Sequence, residues 1–222
     1  MSIKTAVVAT DIPSPNFSTE VIPVEFLVIH YTACNLADTL RLFTTPEKKV
    51  CAHFVLDVDG QIYDLGNFMN GPIRQGAHAG VSHWTDDGRT WESFNRFSIG
   101  IEIVNFNGNF FDFTPAQYDS LVKLTKRLQE RFQALKDPKR VVGHEQIAGF
   151  RGKCDPGLRF DWKRYFNAAF VSGPFPSRPC VFDETKQKQF EVEHGKVEPE
   201  KFTAQDWAVL SSKIEAYLGK RS

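Results

Sequence analysis

The segment Gly152-Lys153-Cys154-Asp155-Pro156-Gly157 sets a lysine and an aspartate two residues apart in a loop constrained by glycine and proline. A carboxylate there can bind a metal ion while the neighbouring ammonium faces the same reacting carbonyl. Two distant histidines can join them: His30, which ends the apolar run Phe26-Leu27-Val28-Ile29, and His144, which follows Val141-Val142-Gly143. Two imidazoles and one carboxylate leave one position of a tetrahedral ion open, the composition of a catalytic rather than a structural zinc site. His30, His144 and Asp155 share no local spacing that ties them together, and a single histidine at a strand end is more often a packed residue than a ligand. Whether the trio assembles depends on the fold.

Glu102 lies inside the apolar run Ile99-Gly100-Ile101-Glu102-Ile103-Val104, where an unpaired carboxylate is costly to bury. Strand alternation puts Ile101 and Ile103 on one face and Gly100, Glu102 and Val104 on the other, so Glu102 can point into a polar cleft. The competing reading is an ion pair with Arg74 or Arg96. His53 and His78 can orient a ligand, line a groove or simply pack, whereas His83 and His194 read as solvent-facing loop residues. Cys34 and Cys154 are not assigned as ligands, because a fourth would close the site; Cys154 reads as a buried free thiol. Phe106, Phe110, Phe111 and Phe113 form either an aromatic lip for a sugar or peptide, or an anchor for their own Asn-rich loop. Ser120-Leu121-Val122-Lys123 matches a Ser-x-x-Lys pattern, but the sequence holds no Lys-Thr-Gly partner, and exposed helix residues explain it.

The elements that must position these groups are legible in outline. Residues 11–25 carry Pro13, Pro15 and Pro23 among polar residues and read as an extended arm. Residues 26–30 are apolar on both faces, as in a central strand of a covered sheet. A short helix is predicted over 38–43, and a hairpin over 53–57 and 61–65 with Asp59-Gly60 at its turn. Residues 66–98 show no sustained period and read as loops over the sheet edge, and 99–104 read as a strand. Thr114-Pro115-Ala116-Gln117 combines an N-cap, a first-turn proline and a glutamine at the third position. It opens a helix carrying Leu121, Leu124, Leu128, Phe132 and Leu135 on one face, stopped by Asp137-Pro138. A short buried strand over 141–143 delivers His144, and a helix over 161–170 follows. Beyond residue 171, Pro174, Pro176 and Pro179 mark a linker. The charged stretch 183–201 is predicted to be partly disordered, and a last helix from Thr203 carries Trp207, Leu210, Ile214 and Leu218 as an apolar stripe that needs a partner surface.

With 222 residues the chain buries enough surface to fold without staples, so zinc would serve chemistry. Its 27 basic and 27 acidic side chains create no overall field favouring nucleic acid or an anionic membrane. No apolar stretch approaches the ~20 residues of a transmembrane helix, and the first ten residues have too short an apolar run for a secretory signal. Together with four cysteines lacking paired spacing, this gives a cytoplasmic expectation, with the periplasm as the alternative if a leader has been removed.

Taken in order, Val28-Ile29-His30-Tyr31-Thr32, Ala52-His53-Phe54-Val55-Leu56-Asp57, Asp59-Gly60-Gln61-Ile62-Tyr63 and His78-Ala79-Gly80 resemble the zinc-dependent N-acetylmuramoyl-L-alanine amidases, whose fold is shared with the peptidoglycan recognition proteins. Ser98-Ile99-Gly100-Ile101-Glu102, Val142-Gly143-His144 and Lys153 with Asp155-Pro156-Gly157 continue the match. The resemblance covers roughly residues 25–170 and excludes the last fifty or so. It implies an α/β fold with a central mixed sheet flanked by helices. With the proline-marked arm and linker, the expected division is an arm (1–24), a catalytic domain (25–171) and a linker with a C-terminal helix (172–222). The resemblance also implies His30, His144 and Asp155 as zinc ligands, Glu102 as the base that activates water, and Lys153 as the transition-state cation. The expected substrate is the amide between the lactyl group of muramic acid and L-alanine, in peptidoglycan or a muropeptide. Ala77 stands where many relatives look to have Trp, which affects stacking beside the site and leaves the zinc ligands untouched. A non-catalytic peptidoglycan-binding protein is the alternative function. Oligomeric state is left open.

Overall fold

Strand β2 (Phe26–Tyr31) is buried along its whole length, as a doubly covered central strand must be. The computed structural model describes residues 7–219 apart from residue 87. Within it β2 pairs in parallel with β7 (Ser98–Ile103) on one side and β8 (Val141–Gly143) on the other. The six-stranded sheet continues from β7 through β3 (Phe54–Leu56) and β4 (Ile62–Asp64) to the edge strand β1 (Ala9–Asp11). Only the β3–β4 hairpin is antiparallel, so the sheet is mixed.

Alternation along β2 decides what His30 faces. Leu27, Ile29 and Tyr31 enter the larger core with Leu121, Leu124 and Leu128 of α2 (Pro115–Arg131) and Tyr165 and Phe166 of α4 (Trp162–Ala169). Phe26 and Val28 enter a smaller core with Trp91, Phe94, Val142 and Ile147. His30 therefore emerges on the side of the smaller core, next to Glu102, its register partner on β7. The helix α1 (Leu36–Thr44), capped by Asn35, follows β2 directly. The helix α3 (His144–Ala148) starts at the residue after β8. The parallel pair β2–β8 thus presents His30 and His144 at the same ends of adjacent strands, where open α/β sheets place their sites.

Several predicted elements differ in the structure. The arm adds the edge strand β1 and buries Phe17, Ile22 and Val24. The region read as loops contains a separate hairpin, β5 (His83–Asp86) with β6 (Arg89–Glu92); Trp84 and Trp91 face each other across it, and the exposed polar residues between them hid the alternation. His83 accordingly lies on a strand, its ring 4.5 Å from Phe150. The predicted helix stops at Arg131, and Leu135 is buried from a single 3-10 turn instead. The charged stretch is ordered into α5 (Glu184–His194), capped by Asp183 and held by one fully buried side chain, Phe190; one apolar residue among charges leaves no period to read. Among the described residues no helix is long and apolar enough to cross a membrane.

The last helix, α6 (Ala204–Gly219), buries Trp207, Leu210, Ile214 and Leu218 as their spacing required. Trp207 stacks on Phe106 with ring centroids 5.4 Å apart and meets Phe111 edge-on at 4.6 Å. The Phe cluster is thus an anchor rather than a lip: Phe110 packs near Phe182 and Phe190, and Phe113 against Phe160.

Candidate metal centre and catalytic cleft

His30, His144 and Asp155 are brought together and buried at the bottom of one cleft. Both imidazoles reach the same oxygen, Asp155 Oδ2, through Nδ1, at 2.8 Å from His30 and 3.1 Å from His144. The three possible ligand atoms all lie within 4.8 Å of one another. Donors about 2.0–2.2 Å from one tetrahedral ion sit about 3.3–3.6 Å apart, so the two Nδ1–Oδ2 separations would each open by a few tenths of an ångström around an ion.

The hydrogen bonds behind the imidazoles show where their protons are. His144 Nε2 lies 3.1 Å from the Ala79 carbonyl oxygen, which can only accept. His144 therefore carries its proton on Nε2. The Ser98 hydroxyl donates to the Phe94 carbonyl at 2.6 Å, so it accepts from His78 Nε2 at 3.3 Å. Burial, then the nearby imidazoles, hold His78 well below the ordinary histidine range. Neutral His78 thus offers the lone pair of Nδ1 to His30 Nε2–H at 3.1 Å. Burial likewise lowers His30 to about 4, against the opposing pull of Asp155. Burial alone would raise Asp155, but the two imidazoles beside it reverse this and hold it well below the usual carboxylate range. His30 Nδ1, His144 Nδ1 and Asp155 Oδ2 thus converge on one point in the cleft, an arrangement that a bound cation stabilises. The donor set fits a metal, and the second nitrogen of each imidazole is tied down as metal-ligating histidines require.

His53 and His78, left ambiguous by the sequence, separate clearly. His78 backs His30, and its ring fits because residue 100 is glycine: a Cβ there would collide with it. His53 holds the scaffold, with Nδ1 accepting from Gly100 N–H at 3.0 Å and Nε2–H donating to the Arg74 carbonyl at 2.9 Å. Cys154 is buried beside the Tyr31 hydroxyl at 3.3 Å, and Cys34 lies near Thr39 at 3.2 Å. Ser120, remote from the cleft, donates to the Gly60 carbonyl.

Glu102 lines the same cleft. Its Oε2 is buried without a hydrogen-bond partner, and neither Arg74 nor Arg96 pairs with it; Arg74 lies over the Phe17 and Phe68 rings instead. Burial first, and the Asp155 charge second, push the Glu102 carboxyl well above its ordinary range. Such a group takes up a proton far more readily than a carboxylate in water, the property a general base and acid needs. Lys153 also lines the cleft. Burial acts to lower it, but Asp155 and Glu215 outweigh burial and raise it above the usual lysine range, so it is cationic.

Among the lining residues that sequence reasoning did not place at the site are Ser211 and Glu215 of α6. Glu215 Oε1 accepts from Lys153 Nζ at 2.6 Å across 62 residues of sequence. Their four-residue spacing on α6 was the available signal, since it puts them on one face.

Residues 20–158 match the sequence family described as N-acetylmuramoyl-L-alanine amidase. The chain is 44% identical over 116 residues to the 1,6-anhydro-N-acetylmuramyl-L-alanine amidase AmpD of Enterobacter cloacae, across 51% of this chain and 57% of that protein. It thus spans little more than half the length of that relative. A selenomethionine derivative of AmpD has a similar fold, with a TM-score of 0.59 and 29% identity over 77% of this chain and 99% of the other. AmiD of E. coli, solved with anhydro-N-acetylmuramic acid-L-Ala-D-γ-Glu-L-Lys, gives 0.56 and 26% over 89% and 82%.

Proposed function

The chain belongs to the N-acetylmuramoyl-L-alanine amidase family, and on that premise we propose that it hydrolyses the amide joining the lactyl group of N-acetylmuramic acid to L-alanine in muropeptides released during cell-wall recycling. His30, His144 and Asp155 would hold zinc. The observation that carries this reading is the convergence of three ligand atoms in one cleft with Glu102, whose Oε2 has no hydrogen-bond partner, and a cationic Lys153. The relatives named for anhydro-muramyl substrates support the choice of substrate. The four thiols, all free, support a reducing compartment.

Zinc bound there supplies Lewis acidity, lowering the pKa of a water toward ~7 and polarising a carbonyl. The chain's own groups do the rest. Glu102 accepts a proton from the water that adds to the lactyl carbonyl carbon. The Lys153 ammonium faces the oxygen that gains negative charge. As the C–N bond breaks, Glu102 returns its proton to the departing L-alanine amine, so one carboxyl serves both half-steps. The burial that raises Glu102 favours its uptake of the water proton. A protein that only binds peptidoglycan needs neither Glu102 nor Lys153 in the cleft.

Glu102→Gln preserves size and removes the proton acceptor. We expect zinc content by metal analysis to stay at the wild-type level and muropeptide binding to persist, while turnover is nearly abolished. A stable, zinc-loaded Glu102→Gln protein with wild-type kcat would defeat this role.

A further inference from the structure

The residues matched by the amidase family end at 158, yet the catalytic cleft is lined by side chains from α6, more than fifty residues further on. One side of this helix carries Trp207, Ser211 and Glu215, spaced by four so that they run along one face. Each makes a different contact with the machinery. Trp207 is the apolar anchor on Phe106 and Phe111. Ser211 accepts from Asn107 Nδ2 at 3.1 Å and donates to the Phe106 carbonyl at 3.3 Å. Glu215 accepts from Lys153 Nζ at 2.6 Å, with both side chains about one-third exposed or less, at 33% and 27%.

The backbone contact is as close as the ion pair. A Cβ on Gly152 would run into the Glu215 carbonyl oxygen, and Gly152 holds a positive φ of 84°. The loop that delivers Lys153 and Asp155 is therefore seated directly on the last turns of α6. The same loop is tied from its other side: Asn109 Nδ2 donates to the Cys154 carbonyl at 3.3 Å, and Asn107 Oδ1 accepts from Asn109 N–H at 3.0 Å. Asn107 thus joins the loop and α6 in one hydrogen-bonded chain.

We propose that Glu215 is the positioning residue for Lys153, so that α6 is a working wall of the catalytic cleft. The proposal rests on the role of Lys153 given above. A lysine side chain has four rotatable bonds and no directional preference of its own. An ammonium that must meet an oxyanion present only near the transition state gains from being held in one place beforehand. Glu215 supplies that hold through a short charge-assisted hydrogen bond, and the Gly152 contact fixes the base from which the side chain extends. Because Lys153 has further N–H groups, it can keep Glu215 and still face the reacting oxygen.

The test is a double-mutant cycle in the full-length zinc-loaded enzyme, using an anhydromuramyl tripeptide and measuring kcat, KM and melting temperature. Glu215→Ala removes the contact outright, and Glu215→Gln keeps a neutral acceptor. Expected for Glu215→Ala is a fall in kcat of about 10- to 100-fold with KM changed by less than about threefold, since the group acts in the transition state. Glu215→Gln should fall between that variant and wild type. In a Lys153→Ala background the Glu215→Ala substitution should cost nothing further, which a merely structural role would not produce. An equal loss in both backgrounds would overturn the proposal. So would unchanged or increased kcat in Glu215→Ala, the increase marking Glu215 as a latch on Lys153. Full activity of Lys153→Ala alone would remove the role of Lys153 and this proposal together, whereas a crippled Lys153→Ala beside a normal Glu215→Ala would remove Glu215 only.

Discussion

Truncating the anchor of α6 couples stability to catalysis in one variant. Trp207 is only 3% exposed, and its indole packs against Phe106, Phe111 and Phe202, with centroids 5.4, 4.6 and 4.6 Å away. Replacing a buried tryptophan by alanine costs about 3–5 kcal/mol in lost transfer energy and cavity formation. For a chain of 222 residues, each kcal/mol lowers the melting temperature by about 2–4 °C. Trp207→Ala should therefore melt about 6–20 °C lower by calorimetry. Below that transition zinc should still bind, because no metal-site residue is altered. kcat should nevertheless fall in the direction of Glu215→Ala, because a loosened α6 no longer holds Lys153. A Trp207→Ala protein with the wild-type melting temperature would refute the docking of α6 on the Phe106–Phe111 loop. One that melts lower yet keeps full kcat would separate the helix from the chemistry.

His78→Phe keeps a ring over Gly100 but removes the acceptor for His30 Nε2–H. Zinc affinity, measured by competition with a chromophoric chelator, should fall about 10- to 100-fold, and unchanged affinity would deny His78 its orienting role. Burial raises Glu145 from 4.5 to about 7, so the folded state binds a proton there that the unfolded state has released. The sign follows: stability is lost as pH rises from about 4.5 to about 7 and is level above that. Denaturant titrations across this window should show wild type losing stability relative to Glu145→Gln, and parallel curves would count against the shift.

How far these features were legible depended on whether they were local. The β2 run, the Thr114 capping box and the α6 stripe each satisfy a rule within a few residues, and each forms as read. The convergence of His30, His144 and Asp155 spans 125 residues and was visible only through the apolar strand ends and ordered motifs flanking each member. Glu215 escaped notice because the apolar face of α6 gave the readable signal, while its polar face matters only once the helix is docked. The Asn105–Asn109 segment was read for its phenylalanines. Its asparagines do the joining, with Asn105, Asn107 and Asn109 buried and bonded to backbone and to one another. Such satisfaction depends on partners that arrive from elsewhere in the chain. The β5–β6 hairpin had a local signal in its Asp-Gly pair at 87–88, outweighed by the polar run around it.

The most direct measurement is mass analysis of the products formed from an anhydromuramyl tripeptide in oxygen-18 water, with the zinc-loaded wild-type protein and Glu102→Gln side by side. Wild type should release a free peptide beginning with unlabelled L-alanine and a sugar whose lactyl carboxylate carries the heavy oxygen, while Glu102→Gln should leave the substrate intact. Intact substrate with the wild-type protein, cleavage at any other bond, or equal turnover by Glu102→Gln would contradict the assignment of this cleft as a Glu102-driven amidase site.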